Sequence, residues 1–187
     1  MASALEAALS RRSASKVTDA APADAELLTL LEAAAHVADH ASLRPWRVVA
    51  LRGAGRERLG AALAAAATAS GADAAASAKL AGKPLRAPLL LAVVAVVTSG
   101  HPKVPEWEQE ASAAGVAHVL SLLLDDAGWG VMWRTGPYTR HPLVAELHGL
   151  AGHERLLGWL YVGGRPERER GERRAEPIAP SRLTVID

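Results

Sequence analysis

The 187-residue chain has no cysteine, no phenylalanine, almost no excess of either charge and no long apolar run, and each absence narrows what it can be. Without cysteine there is no disulfide, no thiolate nucleophile and no cysteine-based zinc site. A net charge of +1 creates no general field for nucleic acid or an anionic membrane, so any anion must be held by a local cluster. The longest apolar stretch, 89–97, is far too short to span a bilayer, and residues 1–20 carry no signal-type hydrophobic segment. The expectation is a cytoplasmic protein with no nucleic-acid or membrane partner. No serine–histidine–aspartate order, P-loop or G-x-G-x-x-G stands out, so chemistry has to come from a cofactor.

What the chain does have is aliphatic and alanine-rich. Half of its residues are hydrophobic, which suits one domain of packed helices around a sheet. Residues 107–136 form the organising stretch. Val116, Val119, Leu120, Leu123 and Leu124 recur at helical spacing, and Gly128 and Gly130 then stop the helix before a short strand at Val131, Met132 and Trp133. A helix this long and apolar is a central core helix, a subunit contact, or both.

Ser3 and Glu6 have capping-box spacing for a first helix, which delivers Arg11, Arg12 and Ser13 to its end. A second helix is expected from Pro22 and Asp24 as far as Asp39, then a strand at 46–51 and an alanine-rich helix to Gly71, expected to pack weakly. The run 89–97 reads as a strand covered on both faces, the centre of the sheet. A short helix at 142–150 and a strand at 156–162 follow. Beyond Gly164 an Arg/Glu run reads as a solvated linker, ending in a short strand at Leu183, Thr184, Val185 and Ile186 that could pair on a second subunit. The fold class is α+β, a mixed sheet of four or five strands between helices.

Several clusters could carry function. Arg11, Arg12 and Ser13, with Lys16 behind them, suit a phosphate, although helix ends also attract arginine for dipole reasons. His36 and His40 sit one helical turn apart, a spacing open to a metal, a polar ligand contact or an ordinary structural role. Trp133, Arg134 and Thr135 bring an aromatic ring, a cation and a hydroxyl to one strand end, where a glycine-permitted backbone could lie against a flat ring. The five tryptophans carry most of the aromatic surface and serve either core or ligand stacking.

In order, these pieces resemble the nitroreductase family of flavoproteins, in the form of its minimal bacterial members of the YdjA type. The resemblance rests on Arg11-Arg12-Ser13, on Asp39-His40-Ala41-Ser42-Leu43-Arg44-Pro45-Trp46, on the run from Lys103 to Glu110 that opens the long helix, and on Gly128-Trp129-Gly130-Val131-Met132-Trp133-Arg134-Thr135-Gly136 closing it. It implies a three-layer sandwich with FMN bound noncovalently at a homodimer interface. Residues 1–164 would form the FMN-binding domain, and 165–187 a polar arm exchanged in the dimer. By position, Arg11, Arg12 and Ser13 would contact the phosphate and ribityl chain, His36 and His40 would reach the flavin from the partner's side, and Trp133, Arg134 and Thr135 would flank the ring or its tail. Leu123, Leu124, Asp125, Asp126, Ala127 and Gly128 match a stretch associated with the nicotinamide cofactor. The implied activity is ping-pong transfer of electrons from NADH or NADPH to nitroaromatic, quinone-like or similar small-molecule acceptors, with no catalytic side chain and no metal. The alternative is an FMN-binding storage or sensing protein with little turnover, and a histidine-metal hydrolase built on His36 and His40 is a third possibility.

Overall fold

The computed structural model describes residues 3–167 and 182–186. The sheet is organised around β2 (Leu89–Val96), whose residues from Leu89 to Ala95 are fully buried. β2 pairs with β1 (Trp46–Leu51) on one side and β4 (Glu154–Gly164) on the other, and β3 (Trp129–Arg134) closes the far edge, giving the order β1-β2-β4-β3. All three pairings are antiparallel, so the mixed sheet expected from sequence is, among the described residues, a uniformly antiparallel one. Apolar runs reveal double burial but not strand direction, which depends on where the connecting helices return the chain.

Alternation along β2 divides the core. Leu89, Leu91 and Val93 face α2 (Asp24–Ala34) and α5 (Glu106–Asp126), whereas Leu90, Ala92 and Val94 face α3 (Ala54–Ala69), α4 (Ala74–Ala81) and α6 (Pro142–Leu147). Helices thus cover both faces, as the continuous apolar run requires. α5 lays Val116, Leu120 and Leu124 against the sheet at zero exposure, each burial contributing roughly 1.5 to 3 kcal/mol. It ends where Gly128 takes φ +95°.

α1 (Ala4–Ser10) starts on the expected capping box: Ser3 Oγ accepts from Glu6 N–H at 3.2 Å, and Glu6 accepts from Ser3 N–H at 2.7 Å. The alanine-rich α3 packs closely instead of weakly. A side chain at Gly60 would collide with the carbonyl of Ala81, so the backbones of α3 and α4 touch there. The expected terminal strand does not form among the described residues: Leu183, Val185 and Ile186 are exposed and pair with none of them as a strand. Most of the Arg/Glu run lies outside the described residues. Among the described residues, no helix is long and apolar enough to cross a membrane.

Candidate functional site

The cationic segment after α1 is fastened to the edge of the sheet. Ala14 N–H donates to Val131 O at 2.8 Å, and Thr18 N–H donates to Gly164 O at 2.8 Å. The chain crosses β3 and β4 where they carry Gly130 and Gly163, because a Cβ at Gly163 would come within 2.7 Å of the Thr18 carbonyl and of Val17. Small residues here are therefore a condition for seating the segment that directly follows Arg11, Arg12 and Ser13 on β3 at Val131, three positions before Arg134. The two arginines are half-buried and Ser13 is exposed.

Trp133, Arg134 and Thr135 leave β3 on different sides. Trp133 pairs across the sheet with Leu160 on the α5 face and meets His118 of α5 edge-on, with ring centres 4.9 Å apart. Arg134 pairs with Trp159 on the opposite face, and its guanidinium carbon lies 5.1 Å from the centre of the Tyr161 ring. Gly158 makes room for this strand end. At a bulge in β4 it takes φ +136°, and a Cβ there would lie 2.6 Å from Arg134 O and 2.7 Å from Trp133 Nε1. Trp133 Nε1 and Arg134 Nε are both buried donors with no hydrogen-bond partner among the described residues. Burial raises the Tyr161 hydroxyl pKa above its ordinary value, and the Arg134 and Arg86 cations partly oppose that rise.

The histidine pair is not arranged as its spacing suggests. α2 ends at Ala34, so His36 and His40 do not share a helical face. Beyond the expected helix end at Asp39, three residues that are not glycine, Ala41 (φ 63°), Ser42 (φ 52°) and Arg44 (φ 48°), are left-handed in the turn that leads to β1. Asp39 holds the turn by accepting from Leu43 N–H at 3.2 Å and Arg44 N–H at 2.7 Å. His36 lines one hollow with Ser42, Arg44 and Trp46, while His40 lines another with Trp107 and Ser112 and lies 2.9 Å from Glu108. Among the described residues, no group of three or more histidine or acidic side chains could hold a metal ion.

The stretch from Leu123 to Gly128 lies at the other end of β3 from Trp133, roughly 17 Å away by strand rise. Leu124 is in the core, and Asp125, 4% exposed, pairs with Arg165 at 3.0 Å. Arg165 Nε also donates to Trp129 O at 3.2 Å, and Trp129 Nε1 donates to Glu26 at 2.7 Å. One protomer alone therefore does not bring this stretch together with the Trp133–Thr135 strand end. Sequence reasoning missed His118, which shows no signal beyond its place on α5, and Tyr161, whose alternation with Leu160 along β4 already assigns it to the opposite face.

Cations and a hydroxyl beside the β3 edge, with an aromatic ring and an unpartnered indole N–H at its end, fit a flat ligand that carries a phosphate. The nitroreductase family model matches residues 8–164 of the chain. The chain belongs to the nitroreductase family. It is 39% identical over 160 residues to the Escherichia coli K12 protein named "Putative NAD(P)H nitroreductase YdjA", with 86% of this chain and 87% of that protein covered. A nitroreductase-like family protein from Bacillus cereus superposes with a TM-score of 0.84 at 26% identity, covering 100% of this chain and 97% of the other. A Bacteroides fragilis nitroreductase solved with bound FMN shares the fold at a TM-score of 0.76 and 18% identity, with complete coverage (100%) of both chains. Within this nitroreductase, the glycines at 130 and 163 are thus part of the frame that carries the Arg-Arg-Ser segment.

Proposed function

We propose that this chain is an FMN-dependent oxidoreductase that draws electrons from NADH or NADPH and passes them to nitroaromatic, quinone-like or similar acceptors. The observation that carries the reading is the fastening of the chain to β3 immediately after Arg11-Arg12-Ser13, where Ala14 N–H donates to Val131 O, in a chain of this family. Arg11, Arg12 and Ser13 bind the phosphate and ribityl chain through charge-assisted and hydroxyl hydrogen bonds. Trp133, the backbone at Arg134 and Thr135 orient the ring edge, and the indole N–H of Trp133 finds there the acceptor that it lacks among the described residues.

The chemistry that FMN supplies when bound is two-electron transfer, a hydride arriving from reduced nicotinamide and the same two electrons leaving to the acceptor. The protein's share is positioning and the exclusion of water, which needs no acid–base side chain. Residues 1–164 form the cofactor-binding domain in this reading, and the arm of 165–187 crosses to a second copy. The exposed Leu183, Val185 and Ile186 support that exchange, since they have an apolar side to bury and no strand partner among the described residues of their own chain. The partner subunit's His36 and the partner subunit's His40 complete the flavin site, and the end of α5 from Leu123 to Gly128 contributes to nicotinamide binding through the assembled dimer.

Anaerobic titration tests the proposal. NADH or NADPH should bleach the flavin absorption of the loaded protein within one turnover, and a nitroaromatic or quinone should restore it. Flavin that stays oxidised with both nicotinamides would instead favour a storage or sensing protein.

A further inference from the structure

Arg134 has no ion-pair partner among the described residues, and its Nε is a buried donor with no acceptor there. The hollow of about 320 Å³ at this strand end is lined by Lys83 as well as Arg134 and by no acidic residue. Arg86 adds a third positive charge close enough to act on Tyr161. Holding a half-buried guanidinium among other cations is unfavourable until an anion completes the arrangement.

Tyr161 is what steadies this charge. β3 and β4 pair Met132 with Tyr161 and Arg134 with Trp159, so Arg134 and Tyr161 are diagonal neighbours on one face of the sheet, within reach of each other. The guanidinium carbon lies 5.1 Å from the centre of the Tyr161 ring. Tyr161 is 6% exposed and pairs on its other side with Leu90 of the central strand, which makes its ring a fixed platform under the flexible side chain of an edge strand. The ring covers the flat of the guanidinium and leaves the in-plane N–H groups, Nε–H among them, open to an anion. Burial also raises the Tyr161 hydroxyl pKa, so no charge on Tyr161 competes for Arg134 at neutral pH.

We propose that Tyr161 is a positioning residue of the cofactor site: it fixes the Arg134 guanidinium so that the open edge of the fork meets an anionic oxygen of the bound flavin nucleotide. This role rests on the flavin reading and gives the Arg134 side chain a part beyond that of its backbone. Two portions of FMN have the required chemistry, the phosphate and the pyrimidine-side carbonyl edge, which gains negative charge on reduction. Holding the guanidinium in advance removes the cost of ordering it when the cofactor arrives.

The test is fluorescence titration of the full chain with FMN and with riboflavin, for the natural sequence, Tyr161→Phe, Tyr161→Leu, Arg134→Met and the double variant. Tyr161→Leu should weaken FMN binding about tenfold, and Tyr161→Phe, which keeps the ring, should retain it. In the Arg134→Met background Tyr161→Leu should have no further effect, because Tyr161 acts through Arg134. A loss seen with FMN but not riboflavin places the guanidinium at the phosphate, and a loss with both places it at the ring; either supports the role. A second measurement needs no variant at Tyr161 and so survives a Tyr161→Leu chain that fails to fold. The Arg134 Nε–H resonance of the natural chain, identified by its disappearance in Arg134→Met, should move when FMN is added. An unmoved resonance, FMN affinity unchanged in Tyr161→Leu, a Tyr161→Phe loss as large as that of Tyr161→Leu, or an undiminished Tyr161→Leu effect without Arg134 would each overturn the positioning role alone. A natural chain that takes up no FMN would overturn it together with the flavin reading.

Discussion

Asp39 Oδ2 accepts a 2.7 Å hydrogen bond from the backbone N–H of Arg44, five residues ahead, and between the two the chain passes through left-handed Ala41 and Ser42. One carboxylate thus holds a turn that its own residues disfavour. Left-handed backbone at residues other than glycine costs on the order of 1 kcal/mol each and persists only where the surroundings enforce it.

Asp39→Ala removes both acceptors of the turn and should destabilise the protein by about 1 to 3 kcal/mol in urea unfolding. Ser42→Gly should act oppositely, raising stability by about 1 kcal/mol, because glycine adopts this conformation without the Cβ penalty. A destabilising Ser42→Gly would contradict the strained-turn account.

Gly163→Ala places a methyl group against the Thr18 carbonyl and Val17. The 14–18 segment must move, at a cost of about 1 to 3 kcal/mol. Since the same segment directly follows Arg11, Arg12 and Ser13, FMN affinity should fall with stability. Gly152→Ala, in open space, should change neither. Unaltered flavin binding in Gly163→Ala would uncouple the crossing from the site.

Acid should weaken the α6 corner in two stages. His148, 5% exposed, accepts from Trp159 Nε1 at 3.0 Å through Nε2 and so donates from Nδ1 to Val144 O at 2.8 Å, an arrangement that protonation would break. Burial lowers its pKa below the ordinary 6.5, so the unfolded chain takes up this proton first. The stability contributed is complete above about 6.5 and is lost as the pH falls toward the folded pKa. The second stage belongs to Glu154, whose carboxyl is held down to about 2 chiefly by hydrogen bonds from Arg47, at 2.6 and 2.8 Å. Its contribution is present above 4.5 and disappears as the pH approaches 2. Trp159→Phe should begin less stable but lose less in the first stage, as followed by urea midpoints against pH. An unchanged first-stage slope would contradict the role given to His148.

Much of the frame was legible because local rules and burial agree. The capping box at Ser3 and Glu6, the doubly buried Leu89–Val96 strand, and the helix stop at Gly128 each follow from side-chain chemistry near in sequence. The early end of α2 was not legible. Nor was the turn before β1 legible: it uses Ala41, Ser42 and Arg44 where glycine would have signalled left-handed backbone, and the Asp39 side chain holds it. Strand direction, the bulge at Gly158 and the meeting of Trp133 with His118 depend on distant segments, so no local pattern announced them. Trp133 and Arg134 formed one cluster in sequence, yet adjacent residues on a strand point to opposite faces, and the structure divides them.

The most direct measurement is the visible spectrum of the purified protein before and after incubation with FMN, with the retained flavin counted per chain, for the natural sequence and for Arg12→Ala. The account predicts about one FMN per subunit in the former. In Arg12→Ala, affinity should fall by roughly ten- to a hundredfold, the equivalent of losing one charge-assisted phosphate contact of about 1.5 to 3 kcal/mol, with the fold intact by circular dichroism. A colourless natural protein that takes up no added FMN, or an Arg12→Ala variant that binds FMN as tightly as the natural chain, would contradict it.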